Sequence, residues 1–307
     1  MRGIRGVAGA GVAAVSALAL AACGPLGSSA SDDKPGDSVG DKAAPTAAQT
    51  AKGLSGAAHA ITALDLVKKT AAGVHSAKVD STITMGTVMS MSNEGALDWA
   101  DGLVGDMTIT YTGGTVADSL RQAGASTTMA ARYLPDAYYV NLGSALAAQA
   151  GGKHWVKYTY ADLGKFTGSS GSYLKDTIQN NNPVKSVDAV LASPDIKNVG
   201  TENVRGIMAT HYTGTIDVAA MTGKSLPNLS AADQAQLKDL LAKSGISTET
   251  VDLWVSGANL PVEAVVTAST KTGPMKTTTY YSDFGAPVSV KAPALSDTVN
   301  VSDLINQ

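Results

Sequence analysis

One thiol, four imidazoles and a surplus of carboxylates are the groups with chemical potential in this chain of 307 residues. The thiol is Cys23, set in Leu20-Ala21-Ala22-Cys23-Gly24. Small residues ahead of a cysteine leave its sulfur open to modification and the preceding peptide bond open to a peptidase. The pattern resembles the bacterial lipobox, in which the thiol is diacylated and becomes the N-terminus after cleavage. Two acyl chains, at about 0.8 kcal/mol per buried CH₂, are enough for stable membrane anchoring. The alternative is an ordinary export signal that happens to carry a cysteine. A single cysteine excludes a disulfide framework within the chain, a Cys-based zinc cluster and a Cys-x-x-Cys redox pair.

The other reactive groups are scattered. His59, His75, His154 and His211 form no His-x-x-x-His or His-Glu pair, so no metal and no cofactor is expected. Ser172-Tyr173-Leu174-Lys175 matches Ser-x-x-Lys, and Lys271-Thr272-Gly273 matches Lys-Thr-Gly, two motifs of penicillin-binding enzymes. The Ser-x-Asn or Tyr-x-Asn element is missing between them, and Lys-Thr-Gly opens a Gly273-Pro274 turn rather than lying on a strand. There is no Gly-x-Ser-x-Gly elbow, and no carboxylate sits among aromatics suited to a sugar. The chain is therefore expected not to be an enzyme. Its net charge of −3 argues against nucleic acid, whose binders need a basic footprint.

Apolar residues carry the stronger signal. Met85, Met89, Met91 and Met107 cluster early in the chain, beside Ile83 and Ile109. Methionine is pliable and suits an adaptable apolar cavity, although plain core packing accounts for such a cluster equally simply. Tyr138-Tyr139, Trp155, Tyr158 and Tyr160 form the densest aromatic run, read as core or sheet-face packing or as the lining for an apolar or sugar ligand. If a cavity exists, the expected lining is Ile83, Met85, Met89, Met107, Ile109, Tyr139 and Trp155.

The elements that must position these residues follow from pattern. Residues 1–22 read as a signal peptide, with Arg2 and Arg5 before the apolar run Val7–Leu20. Residues 23–56 read as the lipidated cysteine and a Ser-, Gly-, Pro- and Asp-rich tether. Residues 57–293 read as one domain, and 294–307 as a C-terminal tail. Ile61, Leu64, Leu66, Val67, Ala71 and Val74 give a helical period over Ala60–His75. Alternation then predicts strands over Lys78–Thr87, Met107–Tyr111, Thr127–Tyr133, Ala137–Leu142, His154–Tyr158, Ile196–Val204, Ile207–Ile216, Val251–Ser256, Pro261–Thr270 and Met275–Asp283. Asn93-Glu94-Gly95 is expected to turn into Ala96–Ala100. Helices are expected at Leu146–Gln149, Ser172–Asn180, Pro183–Ala192 and Ser230–Lys243. Strands in runs and helices in clumps predict an α+β fold with an antiparallel sheet and helices on one face.

Several blocks carry a resemblance. These are Ala77-Lys78-Val79, Gly152–Val156, Val199–Gly206, Ala209–Gly214, Val251–Val255 with Leu260-Pro261-Val262, and Tyr281–Gly285. In this order they resemble the actinobacterial lipoproteins of the LppX, LprA, LprF and LprG type, with a LolA-like fold. The resemblance implies a strongly curved antiparallel sheet, a half-open β-barrel of about 10–11 strands, with helices on its concave face and a lipid-binding cavity between. It implies a membrane-anchored protein on the extracytoplasmic face that binds or carries a lipid or glycolipid, relatives acting as carriers or presenters. The alternative is a cell-surface interaction or sensory protein on the same scaffold without a ligand. No protein partner is named by the sequence.

Overall fold

The computed structural model describes residues 47–163, 175, 178–179, 181–217, 235, 239 and 242–305, with backbone alone for 47–55 and 305. Cys23, the Ser172 motif and most of the helices expected over Ser172–Asn180 and Ser230–Lys243 lie outside the described residues.

Helix α1 (Ala47–Ala72) leads into the sheet and begins inside the stretch read as tether, where alanine favours helix. Ala60, Leu64, Val67 and Ala71 are buried, one stripe of a 3.6-residue period. Ile61 and Leu66 are 41% and 50% exposed instead of joining it. Each lies one residue, about 100° of helical rotation, off that stripe.

Strands β1 (Ser76–Met85), β2 (Met89–Asp98), β3 (Val104–Gly113), β4 (Thr128–Tyr133), β5 (Ala137–Asn141) and β6 (Trp155–Thr159) follow as an antiparallel meander. Helix α2 (Gly114–Gln122), not anticipated from the sequence, links β3 to β4, and α3 (Gly143–Ala147) links β5 to β6. Helix α4 (Pro183–Ala192) lies on the crossing to the far edge of the sheet. Asn182 caps it, its side-chain oxygen accepting from Val184 N–H at 3.1 Å, with Pro183 in the first turn. Strands β7 (Lys197–Val204), β8 (Ile207–Asp217), β9 (Thr248–Ser256), β10 (Pro261–Thr270) and β11 (Gly273–Ser282) return to the middle, where β11 pairs with β1. The short β12 (Thr298–Asn300) adds parallel to β6 before α5 (Val301–Ile305).

The result is one open, curved sheet in the order β12-β6-β5-β4-β3-β2-β1-β11-β10-β9-β8-β7, an α+β fold as expected. It has 12 strands rather than 10–11; β2 and β12 are the two beyond those marked by alternation, and β12 comes from the segment read as tail. That segment is latched by its side chains. Asp297 accepts from His154 N–H at 2.9 Å and meets the His154 ring at 2.7 Å, while Lys153 Nζ donates to the Ser296 carbonyl. The His154 backbone N–H holds the Asp297 carboxyl below its ordinary range.

Asn93-Glu94-Gly95 is not a turn. It lies within β2, where Asn93 is buried and Nδ2 donates to Ser81 Oγ at 3.1 Å. A Cβ on Gly95 would stand 2.1 Å from the Asp106 carbonyl of β3, so glycine here permits close strand approach.

Candidate functional site

Alternation along the strands sends Ile83, Met89, Met91, Met107 and Ile109 to the helix-covered face. They are buried in one apolar layer with Leu64 and Val67 of α1 and Val187 and Val190 of α4, and Met85 packs against it half-buried. Tyr139 and Trp155 are placed elsewhere. They form a separate cluster with Ala137 on the opposite face, where Arg132 lies 4.8 Å over the Trp155 ring and Lys157 lies 5.7 Å from that of Tyr139. The expected lining is therefore split between two faces. Neighbouring positions on a strand point to opposite sides, so Tyr138 and Tyr158, not Tyr139 and Trp155, face the helices.

The inward tyrosines make a stack. The rings of Tyr138 and Tyr158, cross-strand partners on β5 and β6, are parallel within 4° at 4.7 Å. Tyr133 lies 6.0 Å from Tyr138 on one side and Tyr160 6.2 Å on another, with Tyr111 nearby on the same face. Burial pushes the hydroxyls of Tyr111, Tyr138, Tyr158 and Tyr160 well above their ordinary value of 10, so they are neutral O–H donors.

Polar groups on this face lack partners. Among the described residues, the hydroxyls of Tyr138 and Tyr160, Oδ1 of Asn93 and Oγ1 of Thr277 are buried without a hydrogen bond. Each such group costs about 1–3 kcal/mol in an apolar setting. Thr277 lies opposite Ile83, and Asn93 opposite Ser81, so these two atoms sit in the middle of the methionine layer. Glu249 stands on the same face of β9, opposite Ile216 and Ala268, and is 8% exposed. Desolvation lifts its carboxyl from 4.5 to about 7. The arrangement is an apolar layer carrying dispersed donors and acceptors, suited to holding a flexible apolar molecule with ester, amide or hydroxyl groups. No nucleophile with an adjacent base appears in it among the described residues.

The remaining sequence candidates fall outside this layer. His211 faces the other side of the sheet, stacked on Trp254 at 4.2 Å with Nε2 2.8 Å from Asp252. Lys271-Thr272 forms the β10–β11 turn, away from a strand-lined site. No group of three or more His, Cys, Asp or Glu side chains among the described residues could hold a metal. No helix among them is long and apolar enough to cross a membrane. The tyrosine stack escaped the sequence reading, and the signal that would have found it is register: Tyr138 opposite Tyr158.

No family model matches the chain. An "uncharacterized 31.2 kDa protein in rplA-rplJ intergenic region" of Streptomyces griseus is 49% identical over 247 residues, 80% of this chain and 81% of that protein. A "putative lipoprotein" of Streptomyces coelicolor is 37% identical over 243 residues, 79% of this chain and 75% of that one. Among solved structures, LprF from Mycobacterium bovis is similar at TM-score 0.46 and 15% identity, covering 77% of this chain and 97% of LprF. The Mycobacterium tuberculosis lipoprotein LppX is similar at TM-score 0.44 and 16% identity, covering 76% and 98%. Both names belong to the type that the sequence blocks resemble. At the identities and coverages of the two Streptomyces proteins, this chain belongs to their family.

Proposed function

We propose that this protein is a membrane-anchored extracytoplasmic lipoprotein that binds or carries an acylated ligand between its helices and its sheet. The observation that carries the reading is the set of unpartnered polar atoms in the apolar layer: Tyr138 and Tyr160 hydroxyls, Asn93 Oδ1 and Thr277 Oγ1. A core that only packs satisfies such groups, whereas a ligand with acyl chains and ester or hydroxyl groups would satisfy both the layer and its orphans. Burying acyl chains would contribute about 25 cal/mol per Å² of apolar surface. Methionines 85, 89, 91 and 107 would adapt to chain length. Cys23 would take the anchoring diacylglycerol, and the stretch ahead of α1 would set the distance from the membrane.

The test is organic extraction and mass spectrometry of the anchor-free protein purified from its native envelope. Stoichiometric acyl lipid is expected. A protein that returns no lipid, and takes up none from labelled vesicles, overturns the reading. Labelled palmitate incorporated by the wild type and lost in Cys23→Ala tests the anchor separately.

A further inference from the structure

The two edges of the apolar layer are roofed differently. At the β7 edge, α4 packs on β8, β9 and β10, and α1 packs on α4 and β7. Those two helices are joined by Lys68–Asp188 at 2.6 Å and by the buried side chains of Leu64, Val67, Val187 and Val190. At the other edge, the five-residue α5 packs on β6. It follows β12, whose Asn300 pairs with Lys157, so Val301 comes level with Tyr158. Val301 is 4% exposed and belongs to the same layer as Tyr158 and Tyr160, with Val299 and Leu304 packed against that layer partly buried. This is the end of the layer that holds the unpartnered hydroxyls of Tyr138 and Tyr160.

The β12–α5 unit is lightly held. Three residue pairs join β12 to β6, in the parallel arrangement that is the less stable per residue, whereas β5 and β6 share five antiparallel pairs. The chain reaches β12 through residues 286–294, which have no regular structure. That strap is fixed at isolated points: Ser76 Oγ donates to the Ala286 carbonyl at 2.7 Å, and Arg132 Nη1 to the Lys291 carbonyl at 3.2 Å. The latch at its end, Asp297 on His154, is open to water on both sides, the two side chains 40% and 42% exposed. Exposed polar contacts of this kind exchange readily with solvent and add little to stability. A short unit with few buried side chains and a solvated latch opens locally at far lower free energy than the core.

We propose that β12 and α5 form a lid over the tyrosine end of the apolar layer, and that the acyl ligand enters and leaves at the β6 edge when this lid lifts. The proposal rests on the acyl-ligand reading and adds its route. Lifting α5 withdraws Val301 and Leu304 from beside Tyr158 and Tyr160 and breaks three strand pairs. Entry at the β7 edge would instead part α1 from α4 across their buried contact.

The test locks the lid. Lys157 and Asn300 are register partners, and Lys157 lies on the Tyr139 side of the sheet, away from the layer. Lys157→Cys with Asn300→Cys therefore ties β12 to β6 by a disulfide without entering the ligand layer. The full mature chain carrying both is loaded in nonionic detergent, under reducing conditions, with a diacylglycerol bearing one fluorescent acyl chain. Half is then oxidised, and both halves are mixed with phosphatidylcholine vesicles. Oxidation should slow transfer to the vesicles about tenfold or more, a barrier higher by about 1.4 kcal/mol, and dithiothreitol should restore the wild-type rate. Asp297→Asn, which weakens the latch and spares the core, should speed transfer about 2- to 5-fold. Equal rates for oxidised and reduced protein, with the disulfide verified by mass, overturn the lid and leave the acyl ligand standing. An unchanged rate in Asp297→Asn, with amides of β12 and α5 as protected from exchange as those of α4, also overturns it. A reduced protein that takes up no diacylglycerol overturns the acyl-ligand reading and the lid with it.

Discussion

Glu249 makes the stability of this protein depend on pH in a direction opposite to that of a paired carboxylate. The side chain is buried on β9 between Ile216 and Ala268, and its carboxyl is raised from 4.5 to about 7. Below pH 4.5 the group is protonated in folded and unfolded chains alike and costs nothing through titration. Between 4.5 and 7 the unfolded chain releases the proton while the folded chain keeps it, so stability falls as pH rises. Above 7 both forms are ionised and the loss is complete. At 1.36 kcal/mol per pH unit the interval amounts to about 3 kcal/mol. Replacing Glu249 by Gln removes the titrating group and keeps the shape. The expected result is a variant close to wild type at pH 4.5 and about 3 kcal/mol more stable at pH 8. For a domain of this size that corresponds to a midpoint about 6–12 °C higher. Thermal unfolding of both proteins at half-unit steps from pH 4 to 8.5 measures it. Parallel curves for wild type and Glu249→Gln across that interval would refute the argument.

Other substitutions separate the roles assigned above. Leu64→Ala on α1 should destabilise by about 2–5 kcal/mol, whereas Ile61→Ala one residue away should stay within about 0.5 kcal/mol, both read by urea titration. Gly95→Ala should loosen the β2–β3 pairing, because its Cβ would meet the Asp106 carbonyl at 2.1 Å; faster amide exchange along β3 is the readout. Tyr138→Phe deletes a hydroxyl without a partner and should leave the ligand-free protein as stable or about 1–3 kcal/mol more stable. The same variant should retain less co-purifying lipid than wild type, and an unchanged lipid content would separate that hydroxyl from ligand recognition.

Local pattern was enough for much of the fold. Period-2 runs marked β1, β3, β8 and β9 because each is buried on one side, and a half-buried strand writes its face into alternate residues. Pro183 announced α4 through backbone chemistry that needs no distant partner. The misread places are those where a neighbour overrides the local signal. Asn93-Glu94-Gly95 has turn composition, yet Ser81 receives the Asn93 amide and the β3 backbone requires a residue without Cβ at Gly95. Ile61 and Leu66 looked like core because an apolar side chain does not say which of two adjacent helical positions the sheet will cover.

By itself the sequence determined the lone Cys23 in its lipobox-like setting and the antiparallel α+β class. These are statements about composition and short spacing, which a linear chain carries directly. Only the tertiary structure decided which apolar residues share a surface. Ile83, Met89, Met107 and Ile109 meet there, while Tyr139 and Trp155 are turned to the other side. It alone assembled the Tyr138–Tyr158 stack, stranded Glu249 in an apolar setting and brought Arg205 against Asp80, 125 positions away. Strand register and sheet order bring such residues together, and both are set by pairing between segments too far apart along the chain for any local pattern to record.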